Sequence, residues 1–118
     1  MIDFHIHSIF SDGELIPAEI ISRAEAIGYK ALAITDHADQ SNIDLIVPRI
    51  VKVFSEIQPY TSIVLLPGVE ITHVPPDTIP DMAKEARRLG AKIIVAVSYT
   101  HLRAHETPEH LVCRLLLE

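Results

Sequence analysis

Four short apolar segments recur along the chain at nearly even spacing: IDFHIH (2–7), ALAIT (31–35), SIVLLPGVEIT (62–72) and KIIVAV (92–97). Each is rich in β-branched residues, the pattern of a buried strand. Between them the apolar period lengthens to that of a helix. PAEIISRAEAIG (17–28) puts Ile20, Ile21, Ala24 and Ile27 on one face, with Pro17 near its start and Gly28 just past its end, as helix termini prefer. A second helical stretch runs over about 43–57 and contains Pro48. A mid-helix proline clashes with the preceding turn, so the pattern predicts a break near Val47 and a main helix from Pro48. PDMAKEARRLG (80–90) again begins with proline and ends with glycine.

Strand and helix in alternation predict an α/β fold of about four βα units, with parallel strands and right-handed crossovers. In such folds ligands bind beyond the carboxyl ends of the strands. The polar residues fall there repeatedly: His5 and His7 after the first strand, Asp36 and His37 after the second, Glu70 and His73 at the third. Four units are too few to close a parallel barrel, which takes eight strands and about 250 residues. The expectation is a truncated (β/α) barrel, roughly half of a larger fold.

Charge and composition narrow the function. With 118 residues, 48% hydrophobic, the chain supports one small globular domain. A net charge of -6 argues against a surface that neutralises nucleic-acid phosphates. A small anionic substrate stays compatible, because a bound cation can reverse the local field. The single Cys113 cannot form an internal disulfide, which fits a reducing compartment. No apolar run nears the roughly 18 residues of a membrane span, and the N-terminus lacks the basic region of a signal peptide. These readings predict a cytoplasmic, soluble protein with no membrane partner.

His5 and His7 stand at i and i+2 of a strand, so both can reach one ion, and imidazole suits zinc, manganese and iron. Taken alone, the pair reads equally well as ordinary histidines of an edge strand. In ITDHAD (34–39), Asp36 alone reads as a turn or helix cap. In a site, His37 becomes a ligand and Asp36 the group behind it that orients a ligating imidazole. Glu70 sits in an otherwise apolar strand, where an unpaired carboxylate is costly, so a metal or a basic partner is expected beside it. Asp12 lies in SDG (11–13), a good turn, and is either a turn residue or a fifth ligand. Together these residues converge at successive strand ends. A mixed histidine and carboxylate set favours more than one divalent ion, which would activate water for displacement at phosphorus or carbon.

The run DFHIHSIFSDG, then TDH, then PGVE, resembles the first three motifs of the PHP (polymerase and histidinol phosphatase) superfamily, over about residues 1–96. It is most similar to small stand-alone archaeal-type, histidinol-phosphatase-like proteins. The resemblance implies a distorted seven-unit barrel with two or three divalent ions (Zn2+ or Mn2+, with Fe2+ an alternative) that hydrolyses phosphoesters. By the same resemblance His5 and His7 share one metal, Glu70 bridges two, and Asp12 with His37 helps hold a third. His73 matches no motif position and is either an outer ligand or a loop histidine. The implied function is hydrolysis of a small phosphorylated metabolite, such as histidinol phosphate, by metal-activated water. The alternatives are a metal-binding fragment without activity, an amidohydrolase-like deacylase, and, weakest, a proofreading module of a DNA polymerase.

The tail departs from this pattern. The family places a histidine at the end of the fourth strand, where this chain has Val97 or Ser98. The stretch that follows breaks the βα rhythm and resembles sequence found where translated environmental reads run into adapter. Residues 1–96 are therefore expected to form a partial PHP domain, and 97–118 an atypical tail outside the native fold. HETPEH (105–110) approaches the zinc-binding HExxH but sets its second histidine one residue late. The tail histidines are not expected to be ligands. Residues 111–117 are expected to form an amphipathic turn or two that covers a sheet edge.

Overall fold

The computed structural model describes residues 1–99 and 111–117. In chain order its elements are β1 (Ile2–Ile6), α1 (Pro17–Ile27), β2 (Ala31–Ile34), β3 (His37–Ala38), α2 (Ile43–Ile57), β4 (Val64–Ile71), α3 (Ile79–Leu89), β5 (Ile93–Tyr99) and β6 (Leu111–Leu117). The sheet order is β1-β2-β4-β5-β6, and the short β3 pairs with β4. Every pair from β1 to β5 is parallel. Helices connect β1 to β2, β3 to β4 and β4 to β5, while β3 follows β2 after two residues, so the chain forms the expected parallel partial barrel.

The strand residues sort onto two faces, as their period of two requires. Leu32, Ile34 and Leu65 pack with Ile20, Ile21 and Ala24 of α1 and with Ile46, Ile50 and Phe54 of α2. Val69, Ile71 and Ile94 pack with Ile43 and Val47 of α2 and with Met82, Ala83 and Ala86 of α3. The intervening positions Ala33, Ile93 and Val95 form a third cluster with Phe4, Leu66 and Val97, to which no helix contributes. That face is the inside of the partial barrel.

Two expectations are corrected. Helix α2 runs unbroken through Pro48. Pro48 removes one backbone hydrogen bond at a cost of about 3 kcal/mol. Ile43, Ile46 and Val47, all in the helix before the proline, are buried, and each such side chain contributes about 1.5–3 kcal/mol. Keeping the turn therefore wins. Residues 111–117, expected as helical turns, form β6 instead. It pairs antiparallel with β5 along its whole length, from Ile93 opposite Leu117 to Tyr99 opposite Leu111. The edge of β5 carries unpaired N–H and C=O groups, and only an extended partner satisfies them along its length.

Helix ends follow the sequence signals. Pro17 opens α1, and Gly28 closes it at φ 98° with its N–H shared between the Ala24 and Glu25 carbonyls. The left-handed conformation there favours glycine. α3 ends in the same way at Gly90.

Candidate metal centre

β1 does not alternate regularly to its end. Its pairing with β2 shifts between Asp3 and Ile6. Phe4 packs in the inner cluster, whereas Ile6 packs on the helix side. Two residues that a regular strand would put on one face thus lie on opposite faces. The irregularity falls at His5, and the Asp3 side chain accepts the His5 backbone N–H at 3.0 Å. Asp3 is therefore a local brace of the strand rather than a member of the donor cluster.

Glu70 is the centre of that cluster. β4 carries it past the end of β2, since Ile34 is level with Pro67. Its side chain is only 4% exposed, and both oxygens face imidazoles. Oε1 contacts His5 Nε2 and lies 2.9 Å from His7 Nε2. Oε2 lies 3.0 Å from His37 Nδ1. Asp12, on the exposed side, faces two of the same rings: Oδ1 is 2.7 Å from His7 Nδ1, and Oδ2 is 3.1 Å from His37 Nε2. The ring centroids of His7 and His37 are 4.3 Å apart.

The donor chemistry fits divalent cations. A neutral imidazole donates from one nitrogen and presents a lone pair at the other. His7 and His37 each meet carboxylate oxygen at both nitrogens. His7 must therefore be a cation or direct a lone pair at a carboxylate, whereas the Nδ1 lone pair of His37 has the Thr72 hydroxyl as an alternative donor at 2.7 Å. A metal ion between lone pair and carboxylate removes that conflict. Two overlapping groups bring one donor atom from each member within 4.8 Å of the others: His5, His7 and Glu70, and His7, Asp12 and His37. Desolvation, the largest single influence on Asp12, acts to raise its pKa. The His7 hydrogen bond and the charges of His7 and His37 outweigh it, so the carboxyl sits below its ordinary range.

The remaining sequence candidates lie around this cluster. Asp36 is fully buried, and among the described residues its side chain bonds Ser8 and Ser11 rather than an imidazole. His73 is exposed, sits at φ 62° and belongs to neither donor group. It lines a cavity of about 320 Å³ together with Asp12, His37, Asp39, Asn42 and Thr72. His101, His105 and His110 lie outside the described residues.

Three contributors were not picked out by sequence reasoning. Thr72 Oγ1 lies 2.7 Å from His37 Nδ1, and its position two residues after Glu70 on the same strand course is the signal for it. Ser8 and Ser11 bond the buried Asp36 from within a loop, and strand periodicity carries no signal for them. Gly13 closes that loop, its N–H reaching the Ser8 carbonyl at 2.9 Å. A Cβ there would stand 2.2 Å from the His7 carbonyl oxygen, so only glycine lets the chain close so tightly.

Fold and donor set together define an α/β barrel-type protein with a histidine–carboxylate cluster suited to divalent cations. The chain belongs to the PHP domain family, whose model matches residues 3–116. It is 50% identical over 94 residues to an uncharacterized protein of Methanocaldococcus jannaschii, covering 79% of this chain and 43% of that one. Shorter matches are to a 5'-3' exoribonuclease of Haemophilus influenzae, 48% identical over 36% of this chain and 15% of the relative, and to a 3',5'-nucleoside bisphosphate phosphatase of Chromobacterium violaceum, 56% identical over 30% and 13%. The chain thus spans less than half the length of each of these relatives. No helix among the described residues is long and apolar enough to cross a membrane.

Proposed function

We propose that this chain carries the first part of a PHP-type, metal-dependent phosphoesterase site acting on a small phosphorylated metabolite, histidinol phosphate being one such compound. The observation that carries the reading is Glu70, whose two buried oxygens face three imidazoles from two other strand ends. His5, His7 and Glu70 would hold one ion, Glu70 would bridge to a second, and Asp12 with His37 would help hold a third. Zn2+ or Mn2+ suits these donors, and Fe2+ is compatible. When bound, such ions supply an activated water and neutralise charge on phosphoryl oxygens. The protein's part is to fix the donors: Thr72 holds the His37 ring, and Asp12 holds His7 and His37 side by side, their planes tilted by 57°.

Two relatives bear names of phosphoester-cleaving enzymes, one a nucleoside bisphosphate phosphatase and one an exoribonuclease. The net charge of -6 favours the small substrate over a polynucleotide. On this reading residues 1–96 are the partial domain that carries the site, and the tail adds none of its donors. The single cysteine fits a reducing, cytoplasmic setting.

The test is hydrolysis of an aryl phosphate with Mn2+ or Zn2+. The 118-residue chain is expected to be near background, with metal-dependent turnover appearing when the remaining part of a longer relative is supplied. Turnover that is unchanged by metal chelation, in either preparation, overturns the proposal.

A further inference from the structure

Asp36 belongs to neither donor group, yet it is linked to four of the five donors. Its carboxyl accepts three hydrogen bonds of 2.6 Å: from the Ser8 N–H and the Ser11 hydroxyl at Oδ1, and from the Ser8 hydroxyl at Oδ2. Ser8 follows His7, Ser11 precedes Asp12, and Asp36 itself precedes His37. The Asp36 carbonyl accepts the Glu70 N–H at 2.8 Å. One residue at the end of β2 therefore touches the backbone neighbourhood of His7, Asp12, His37 and Glu70.

The loop over 8–13 has a second set of bonds with a different effect. The Ser8 carbonyl accepts the N–H groups of Ser11 and Gly13, at 3.1 and 2.9 Å. The Ser8 hydroxyl accepts the Phe10 N–H at 3.1 Å. These bonds run within the loop and fix its shape. The bonds to Asp36 run from the loop to β2 and fix its position. A buried carboxyl is costly unless its lone pairs are filled, so the loop is drawn to the one place where its three donors meet that carboxyl.

We infer that Asp36 is a positioning residue that registers the 8–13 loop on β2, so that Asp12 faces both His7 and His37. The inference rests on the reading of this cluster as a metal centre. Groups behind metal ligands typically change affinity by about 10–100-fold when removed.

The experiment uses the full chain, wild type and the variants Ser11→Ala, Asp36→Asn and Asp12→Ala. Imidazole nitrogen-15 shifts are read without metal, and binding is then titrated with Zn2+ alone. Asp12→Ala defines the share of Zn2+ binding that needs Asp12. Ser11→Ala, which leaves the Ser8 bonds in place, is expected to keep the fold and the wild-type unfolding midpoint within a few degrees. It should nonetheless shift the His7 Nδ1 and His37 Nε2 signals towards those of Asp12→Ala and weaken the Asp12-dependent binding about tenfold. Asp36→Asn should do both more strongly. Wild-type imidazole shifts and a wild-type titration in Ser11→Ala overturn the inference. If the wild type binds no Zn2+, the metal reading fails, and the imidazole shifts alone still decide whether Asp36 positions Asp12.

Discussion

His7 Nε2 lies 2.9 Å from Glu70 Oε1, although 63 positions of sequence separate the two residues. They do not sit on adjacent strands, because β2 lies between β1 and β4. The contact exists because β2 is only four residues long and stops level with Pro67. β1 ends at Ile6 opposite Ile34, level with the end of β2, and β3 then sets His37 opposite Glu70, so the rings of His5, His7 and His37 meet Glu70 beyond the end of β2. A short central strand is thus what converts three separate strand ends into one cluster.

Replacement of Pro48 tests why α2 is continuous. Pro48 is exposed and lies inside the helix, between buried Val47 and exposed Arg49. Pro48→Ala restores a backbone N–H and relieves the ring clash, worth about 3 kcal/mol in a helix interior. It also frees the unfolded chain, which offsets up to about 1 kcal/mol. The expected outcome is a gain of about 2 kcal/mol in urea unfolding, with helix content unchanged. A loss of stability would mean that the proline fits a local distortion the helix needs.

The closure at Gly13 gives a second prediction. Gly13→Ala must push the added Cβ away from the His7 carbonyl, so the loop has to open. Stability should fall by about 1–3 kcal/mol, and the His7 imidazole should lose its Asp12 partner. The check is a paired measurement of unfolding midpoint and imidazole nitrogen-15 shift. A variant that matches the wild type in both contradicts the tight closure.

Asp39, which lines the same cavity as Asp12 and His37, makes the stability depend on pH. The Ser41 hydroxyl, first in importance, and the Ser41 N–H hold its carboxyl below the ordinary aspartate range. A carboxyl depressed in the folded state adds stability above its unfolded pKa, and that stability is lost as pH falls through the folded value. Asp39→Asn should therefore be less stable than the wild type near neutrality. The gap should close in acid, below the ordinary aspartate value. An equal gap at all pH values would show that the carboxylate charge plays no part.

Most of the architecture was legible because it follows from periodicity. Proline and glycine marked α1 and α3, and four β-branched runs marked the parallel strands. Two things were not legible. Pro48 obeys a local rule that tertiary burial of Ile43, Ile46 and Val47 overrides, and burial cannot be read from one segment. The strand form of 111–117 depends on the open edge of β5, a non-local cause. The cluster itself was legible as residue types at strand ends, with Glu70, His5, His7, Asp12 and His37 all brought together. The task of Asp36 was not, because its partners Ser8 and Ser11 lie in a loop whose path no pattern predicts. Asp3 alternates with Phe4 as the sequence implies, but the irregularity at His5 leaves it bracing the backbone.

His5, His7 and Glu70 are the donors proposed to form a divalent-cation site. The most direct measurement is elemental analysis of the purified chain after equilibration with Zn2+ or Mn2+ and removal of free ion, for the wild type and for His5→Ala combined with His7→Ala. Bound metal is expected in the wild type and near-complete loss in the double variant, with circular dichroism unchanged. Equal metal content in the two proteins would contradict it.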